Sequence, residues 1–208
     1  GLFYSTITEY LGFEINEGEF KVMSLSSFGK PIYEKELKKI FDINNFKINM
    51  DYFEFHKNPS KSFSKKLYDL FGEPYLDISE EKNFNKYADI ASSAQLILEH
   101  TMKNLIKKAS DLSGKRKIVL TGGVALNCKM IHNLSKQGIF EELIVPPSPG
   151  DSGSAVGAAN FAFLEKSKNK ILNLSNINLG PDKKLINKKE NKDNFFLKVN
   201  LTNDYIID

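Results

Sequence analysis

The apolar positions of this chain change period several times, and each change marks an element. Leu2, Phe3, Ile7, Tyr10 and Leu11 recur at helical spacing, and Gly12 stops that helix as a C-cap. After the turn Asn16-Glu17-Gly18-Glu19, the segment Phe20-Lys21-Val22-Met23-Ser24-Leu25 fits a short strand or a helix start equally well. Residues 31–87 mix Lys, Asn, Phe and Tyr with brief apolar patches, a pattern of several short helices and loops. From Tyr87 the signal sharpens. Ala88, Ile90, Ala91, Ala94, Leu96, Ile97, Leu98, Met102, Leu105 and Ile106 place a wide apolar face on a helix of about five turns. Ala91-Ser92-Ser93-Ala94 are small enough to admit a close neighbour, and Ser113-Gly114 ends the helix.

Lys117-Ile118-Val119-Leu120 then reads as a buried strand, expected over 117–120. It breaks at Gly122-Gly123, and an amphipathic helix is expected over 124–137, closed by Gly138. Paired glycines between strand and helix let backbone approach a ligand, because no Cβ intervenes. The helix N-terminus behind them would offer free N–H groups to a phosphate. A second strand over 140–145 leads to Pro149-Gly150-Asp151-Ser152-Gly153 and a small-residue helix reaching about Lys166. Helix, strand, helix, strand, helix in this order predicts an α/β layer with parallel strands and ligand loops at their carboxyl ends. Two glycine-rich loops on adjacent strands suggest one shared nucleotide site. Residues 167–208, rich in Asn and Lys, read as a linker or the incomplete start of another domain.

Composition narrows the classes. Among 208 residues, 41% are hydrophobic and 26% charged, with a net charge of +3, the balance of an ordinary soluble chain able to bury a core. No basic stripe interleaved with aromatics appears, so nucleic acid gets no electrostatic support as a partner. One cysteine, Cys128, excludes an internal disulfide framework and fits a reducing compartment. It reads as a small structural filler, with no histidine near in sequence to activate it. No apolar run is long enough to span a membrane, and the first residues lack a basic n-region. A cytoplasmic location is the default expectation. The absence of an initial Met and the apolar start suggest a piece of something longer.

Asp151 is the sharpest chemical candidate: before a glycine-rich helix it reads equally as an N-cap and as a metal- or phosphate-site ligand. Gly153 and Gly157, four apart, clear one helix face for a closely approaching ligand or element. Asn127 can reach a ribose or phosphate, or cap locally. Lys21, by spacing alone, reads first as a solvated charge. His56, His100 and His132 show no ligand spacing.

Several separated blocks together resemble a known family. Gly1-Leu2-Phe3-Tyr4-Ser5-Thr6-Ile7-Thr8-Glu9-Tyr10-Leu11-Gly12-Phe13 is similar to the GLxYSxxTxYLGF block of O-carbamoyltransferases of the nodulation, cephamycin and tobramycin type. Gly18 to Leu25 resembles their GEYKVMGL block, and Phe28-Gly29-Lys30-Pro31 its continuation. Asp89-Ile90-Ala91-Ser92-Ser93-Ala94-Gln95 resembles DIAxSxQ, with Glu99 at the expected place. Residues 121–128 and 149–159 are similar to GGVALNC and GDxGxAxGAA. The resemblance covers residues 1 to about 165. It implies part of an actin-like ATPase (ribonuclease H-like) domain, a parallel or mixed sheet flanked by helices. It also implies an enzyme that uses carbamoyl phosphate and ATP to form a carbamoyl-adenylate, then passes the carbamoyl group to a hydroxyl of a small sugar- or antibiotic-like acceptor.

By that resemblance Gly122, Gly123, Asn127 and Gly153 belong to the nucleotide site, and Asp151 would hold an iron-type divalent metal near the phosphates. Lys21 rises to a catalytic candidate on the phosphate or carbamoyl side, since a compact cation suits that charge. The departures are equally definite. The family's HxxxH pair lies upstream of the first block and is absent, as is the GPRALGxRS motif of the smaller carbamoyl-phosphate-handling domain. Ser24, Ser26, Ser27 and Phe28 replace the usual GLAPYG wording. The expectation is the second part of an actin-like domain over 1–166, with 31–87 as a helical insertion or cap, inactive without the N- and C-terminal remainder of the protein. Two alternatives stay open: a relative of the tRNA threonylcarbamoyl-transferases, and a non-catalytic nucleotide-binding module of the same fold.

Overall fold

A computed structural model describes residues 1–58 and 60–167. Its axis is one long helix, α5 (Glu81–Ser113), ended by Gly114 in the left-handed conformation. Against its apolar face pack α1 (Leu2–Tyr10), α2 (Glu19–Leu25), α3 (Glu34–Ile40) and α6 (Cys128–Ser135). The segment 20–25 is therefore helical, not a strand. Its Val22 and Leu25 turn inward while Lys21 and Ser24 face water, a helical and not a two-residue period.

Between α3 and α5 run a two-residue hairpin, β1 (Phe41–Asp42) and β2 (Lys47–Ile48), a single 3₁₀ turn, and α4 (Lys66–Phe71). These short pieces carry no core of their own. Leu37, Ile40, Phe53, Phe63, Leu67 and Phe71 join α1 and α5 in one apolar cluster. Tyr10 sits near its centre, edge-on to Phe63 at 5.4 Å and Phe71 at 5.8 Å, with its hydroxyl donating to the Gly72 carbonyl at 2.6 Å.

Small residues on α5 admit a close crossing, as their run predicts. Gly29 lies so near Ala88 that a Cβ there would overlap its carbonyl group. The Lys30 N–H donates to Asp89 Oδ1 at 2.7 Å and the Tyr33 N–H to Ser93 Oγ at 3.0 Å, which pins the chain after α2 along the helix.

The remaining elements form the α/β part. β3 (Lys117–Val119) and β4 (Glu142–Ile144) pair in parallel, in register Ile118 with Leu143, and α6 is the crossover between them. α7 (Gly153–Ser167) follows. Several features differ from the sequence reading. The strands are shorter than the expected 117–120 and 140–145, and β3 is not buried: it lies at the edge of a two-stranded sheet with Val119 exposed. α5 begins at Glu81 because an exposed polar turn precedes its apolar stripe. The helix expected over 124–137 is a 3₁₀ turn, Gly123–Leu126, and then α6 from Cys128. Asn127 causes the delay: its Oδ1 accepts from the Met130 N–H at 2.9 Å and starts a new helix.

Candidate functional site

The two glycine-rich turns meet. Gly122, at φ +96°, donates its N–H to the Pro149 carbonyl at 2.7 Å, and Thr121 Oγ1 donates to the same oxygen at 3.0 Å. Only a residue comfortable at positive φ makes that turn, and glycine is the one that does so without strain. The two strand ends are thereby stitched side by side. Beside the stitch opens a cavity of about 560 Å³, lined by Gly123, Asn127, Gly150 and Asp151 on this wall and by Ser5, Glu19 and Phe20 of α1 and α2 opposite. That is the scale of a small-molecule site.

The sequence candidates divide around it. Gly123 lies on the wall with open space where a Cβ would stand. Asp151 is exposed on the wall, and its carboxylate makes no hydrogen bond or ion pair among the described residues. Its backbone carbonyl, not its side chain, accepts from the Ser154 N–H at 3.0 Å as α7 begins. Gly122 lies behind the wall and supports it. Gly153 serves packing: a Cβ there would collide with the Ser148 carbonyl oxygen, whereas Gly157 faces open space. Lys21 is exposed on α2, its Nζ 5.8 Å and 5.9 Å from the ring centroids of Phe13 and Phe20, and it lies off the cavity wall. Cys128 is exposed, its Sγ 3.7 Å from Met23 Sδ.

The wall is acidic. Glu17, Glu19 and Asp151 line the cavity, and no lysine or arginine among the described residues does. Glu19 Oε1 accepts from Ser5 Oγ at 2.7 Å and from the Asn16 N–H at 3.1 Å, which ties α2 to α1 across the mouth. Among the described residues no three His, Cys, Asp or Glu side chains converge. Asp151 is thus a single oxygen donor. The described residues do not complete a shell for iron, which binds proteins through several side-chain ligands.

At the floor of the cavity Asn127, a sequence candidate, lies beside Tyr4, and Gln95 of α5 joins them from behind; the site reading from sequence included neither Tyr4 nor Gln95. Burial raises the Tyr4 phenol well above its ordinary range, so it stands as a neutral hydroxyl. The available signal was a lone glutamine inside the apolar stripe of α5, where an amide is costly unless fully hydrogen-bonded.

Residues 1–160 match the family model described as carbamoyltransferase N-terminus. An uncharacterized protein of Synechocystis is 36% identical over 163 residues, a match spanning 76% of this chain and 26% of that protein. Nodulation protein NolNO of Sinorhizobium fredii is 29% identical over 163 residues, covering 76% of this chain and 22% of its own length. An uncharacterized protein of Methanocaldococcus jannaschii is 32% identical over 167 residues, covering 79% and 26%. The chain spans about a quarter of the length of these curated relatives.

Proposed function

This chain belongs to the carbamoyltransferase family, and from that premise we propose that its cavity is one wall of a nucleotide site for ATP-dependent O-carbamoyl transfer. The observation that carries the reading is the convergence of both glycine-rich turns, through Gly123, Gly150 and Asp151, on one cavity of about 560 Å³ with Asn127 at its floor. The actin-like arrangement of 1–166, with 167–208 leading to a further domain, is part of the same proposal. The match to the carbamoyltransferase model over residues 1–160 supports it.

In this reading Gly123 and Gly150 admit the phosphates to backbone contact, and Asn127 orients them. Water would release carbamate and phosphate from carbamoyl phosphate; a carbamate oxygen would then bond to the α-phosphorus of ATP as the bond to the β-phosphate oxygen breaks, so that pyrophosphate leaves and carbamoyl-adenylate remains. A hydroxyl oxygen of a small acceptor then bonds to the carbamoyl carbon. The bond from that carbon to the adenylate oxygen breaks, AMP leaves with the electron pair, and the hydroxyl proton passes to a base. Asp151 would add one oxygen ligand to a divalent metal whose other ligands lie outside the described residues. Lys21 would meet the donor only from the rim, beyond the Phe20 ring.

Isothermal titration of the 208-residue chain with ATP and AMP tests the site. Gly123→Val is the matched control: its side chain would enter the cavity without meeting a neighbour, because a Cβ there has nothing within 4 Å. Binding by the wild type that this variant abolishes, with thermal unfolding unchanged, is the expected result. Absence of binding at millimolar nucleotide, or equal binding by Gly123→Val, would refute the assignment.

A further inference from the structure

Gln95 is a hub with every hydrogen-bonding position in use. Its Nε2 donates to Asn127 Oδ1 at 3.0 Å and to Glu99 Oε1 at 2.8 Å. Its Oε1 accepts from Asn127 Nδ2 at 2.9 Å and from the Tyr4 hydroxyl at 2.9 Å. Glu99 is held in turn, its Oε2 accepting from Asn133 Nδ2 at 2.9 Å. Gln95 is 2% exposed and does not itself line the cavity, whereas its partners Asn127 and Tyr4 do.

The consequence for Asn127 is definite. A backbone N–H can only donate, so the atom facing Met130 is oxygen, and the amide orientation is not open to a flip. That oxygen accepts from Met130 and from Gln95, which uses both its lone pairs. Asn127 therefore has no acceptor left for a ligand; one of its two Nδ2 protons bonds Gln95 Oε1, and the other, shared with the Tyr4 hydroxyl beside it, is all it can offer.

We infer that Gln95 is a positioning residue for the cavity. Through its two-bond clasp on Asn127 it fixes that amide as a donor, so the ligand group seated there is a hydrogen-bond acceptor such as a phosphate or carbonyl oxygen. The inference rests on the nucleotide-site reading above. Glu99 and Asn133 complete the support by holding the Gln95 amide from the far side. None of the three contacts the ligand.

The test compares wild type, Gln95→Met and Gln95→Glu in the 208-residue chain, by AMP titration and by NMR of the Asn127 side-chain NH₂ group. Gln95→Met keeps the length and removes the clasp. Affinity is expected to fall about tenfold, the effect of losing one well-placed hydrogen bond. The Asn127 NH₂ protons, slow to exchange in the wild type, should exchange rapidly. Gln95→Glu guards against a variant that fails to fold. Its two oxygens still accept from Tyr4 and Asn127, but when ionised it donates nothing to Asn127 or to the adjacent Glu99 carboxylate. Its affinity relative to wild type should recover as pH falls and the new carboxyl, facing Glu99 on α5 and Tyr4 on α1, takes up a proton. A purely structural defect gives no such recovery. Wild-type binding left unchanged by both variants overturns the positioning role alone. No binding by the wild type overturns the nucleotide reading and the positioning role with it.

Discussion

Replacing Gly153 and Gly157 of α7 separately by alanine gives two chemically identical changes with opposite expected signs. Each removes the same backbone freedom from the unfolded chain, so that contribution cancels between them. At Gly157 the new methyl meets nothing within 4 Å, and alanine gains helix propensity, a stabilisation of about 0.5–1 kcal/mol. At Gly153 the methyl would stand under 3.0 Å from the Ser148 carbonyl oxygen, a backbone atom that cannot swing aside. Overpacking of this kind costs about 1–3 kcal/mol. The loop cannot simply relax, because the next carbonyl, Pro149, holds both the Gly122 N–H and Thr121 Oγ1. Moving Ser148 therefore also pulls apart the stitch that aligns the two glycine-rich turns. The difference between the variants, about 1–3 kcal/mol from the overpacking alone, corresponds to a separation in Tm on the order of 5 °C for a chain of this size. Circular dichroism at 222 nm during heating measures it, and nucleotide titration should show Gly153→Ala weakened and Gly157→Ala intact. Equal stability of the two variants would refute the packing role assigned to Gly153.

Gly29→Ala should be more damaging still, by about 3 kcal/mol, since its Cβ would meet the Ala88 carbonyl group and stand 2.5 Å from the Asp89 nitrogen. Urea unfolding with an unchanged midpoint would count against the close crossing of α5. Burial raises the phenols of Tyr4, Tyr10 and Tyr87 above their ordinary values. Because the folded state favours the neutral form, this stability is present below about pH 10 and is lost as pH rises further. A jump to alkaline pH followed at 295 nm should show a fast phase from exposed tyrosines and a slow one limited by unfolding. A single fast phase for all tyrosines would contradict their burial.

Long-period patterns were legible because they reflect what must be buried. The apolar stripe of α5 follows directly from the demand for a core, whereas β3 was readable as a strand only from its β-branched run, since it lies largely open to solvent. Short elements were not. Over 20–25 strand and helix have the same number of apolar residues, and only contact with α5 selects the helix, which then sets Glu19, Phe20 and Met23 toward the cavity and Lys21 away from it. That the glycine pair and Asp151 would lie close together was readable, because loops at parallel strand ends converge by topology. Gly153 and Asn127 were harder, since a glycine or an amide serves packing and binding with the same local signature. Gln95 lies 91 residues from Tyr4 and 32 from Asn127, so its role arises only in three dimensions.

The charge on the cavity wall yields a sharper test of Asp151 than loss of activity. Glu17, Glu19 and Asp151 face the space in which the phosphates are proposed to sit, with no lysine or arginine of the described residues on the wall. Like charges about 5 Å apart at an effective dielectric near 20 repel by roughly 3 kcal/mol before screening, so an uncompensated polyphosphate is disfavoured there. A divalent cation accompanying ATP reverses the sign, because it sits between phosphate and carboxylate and attracts both. Asp151→Asn keeps the shape and removes the charge. It should therefore strengthen ATP binding in EDTA and weaken it in excess Mg²⁺, a crossing that no folding defect produces, since misfolding weakens binding in both buffers. Titrations in the two buffers distinguish the cases. Equal loss of affinity in both would place Asp151 outside the phosphate site and leave it a packing residue of the α7 turn.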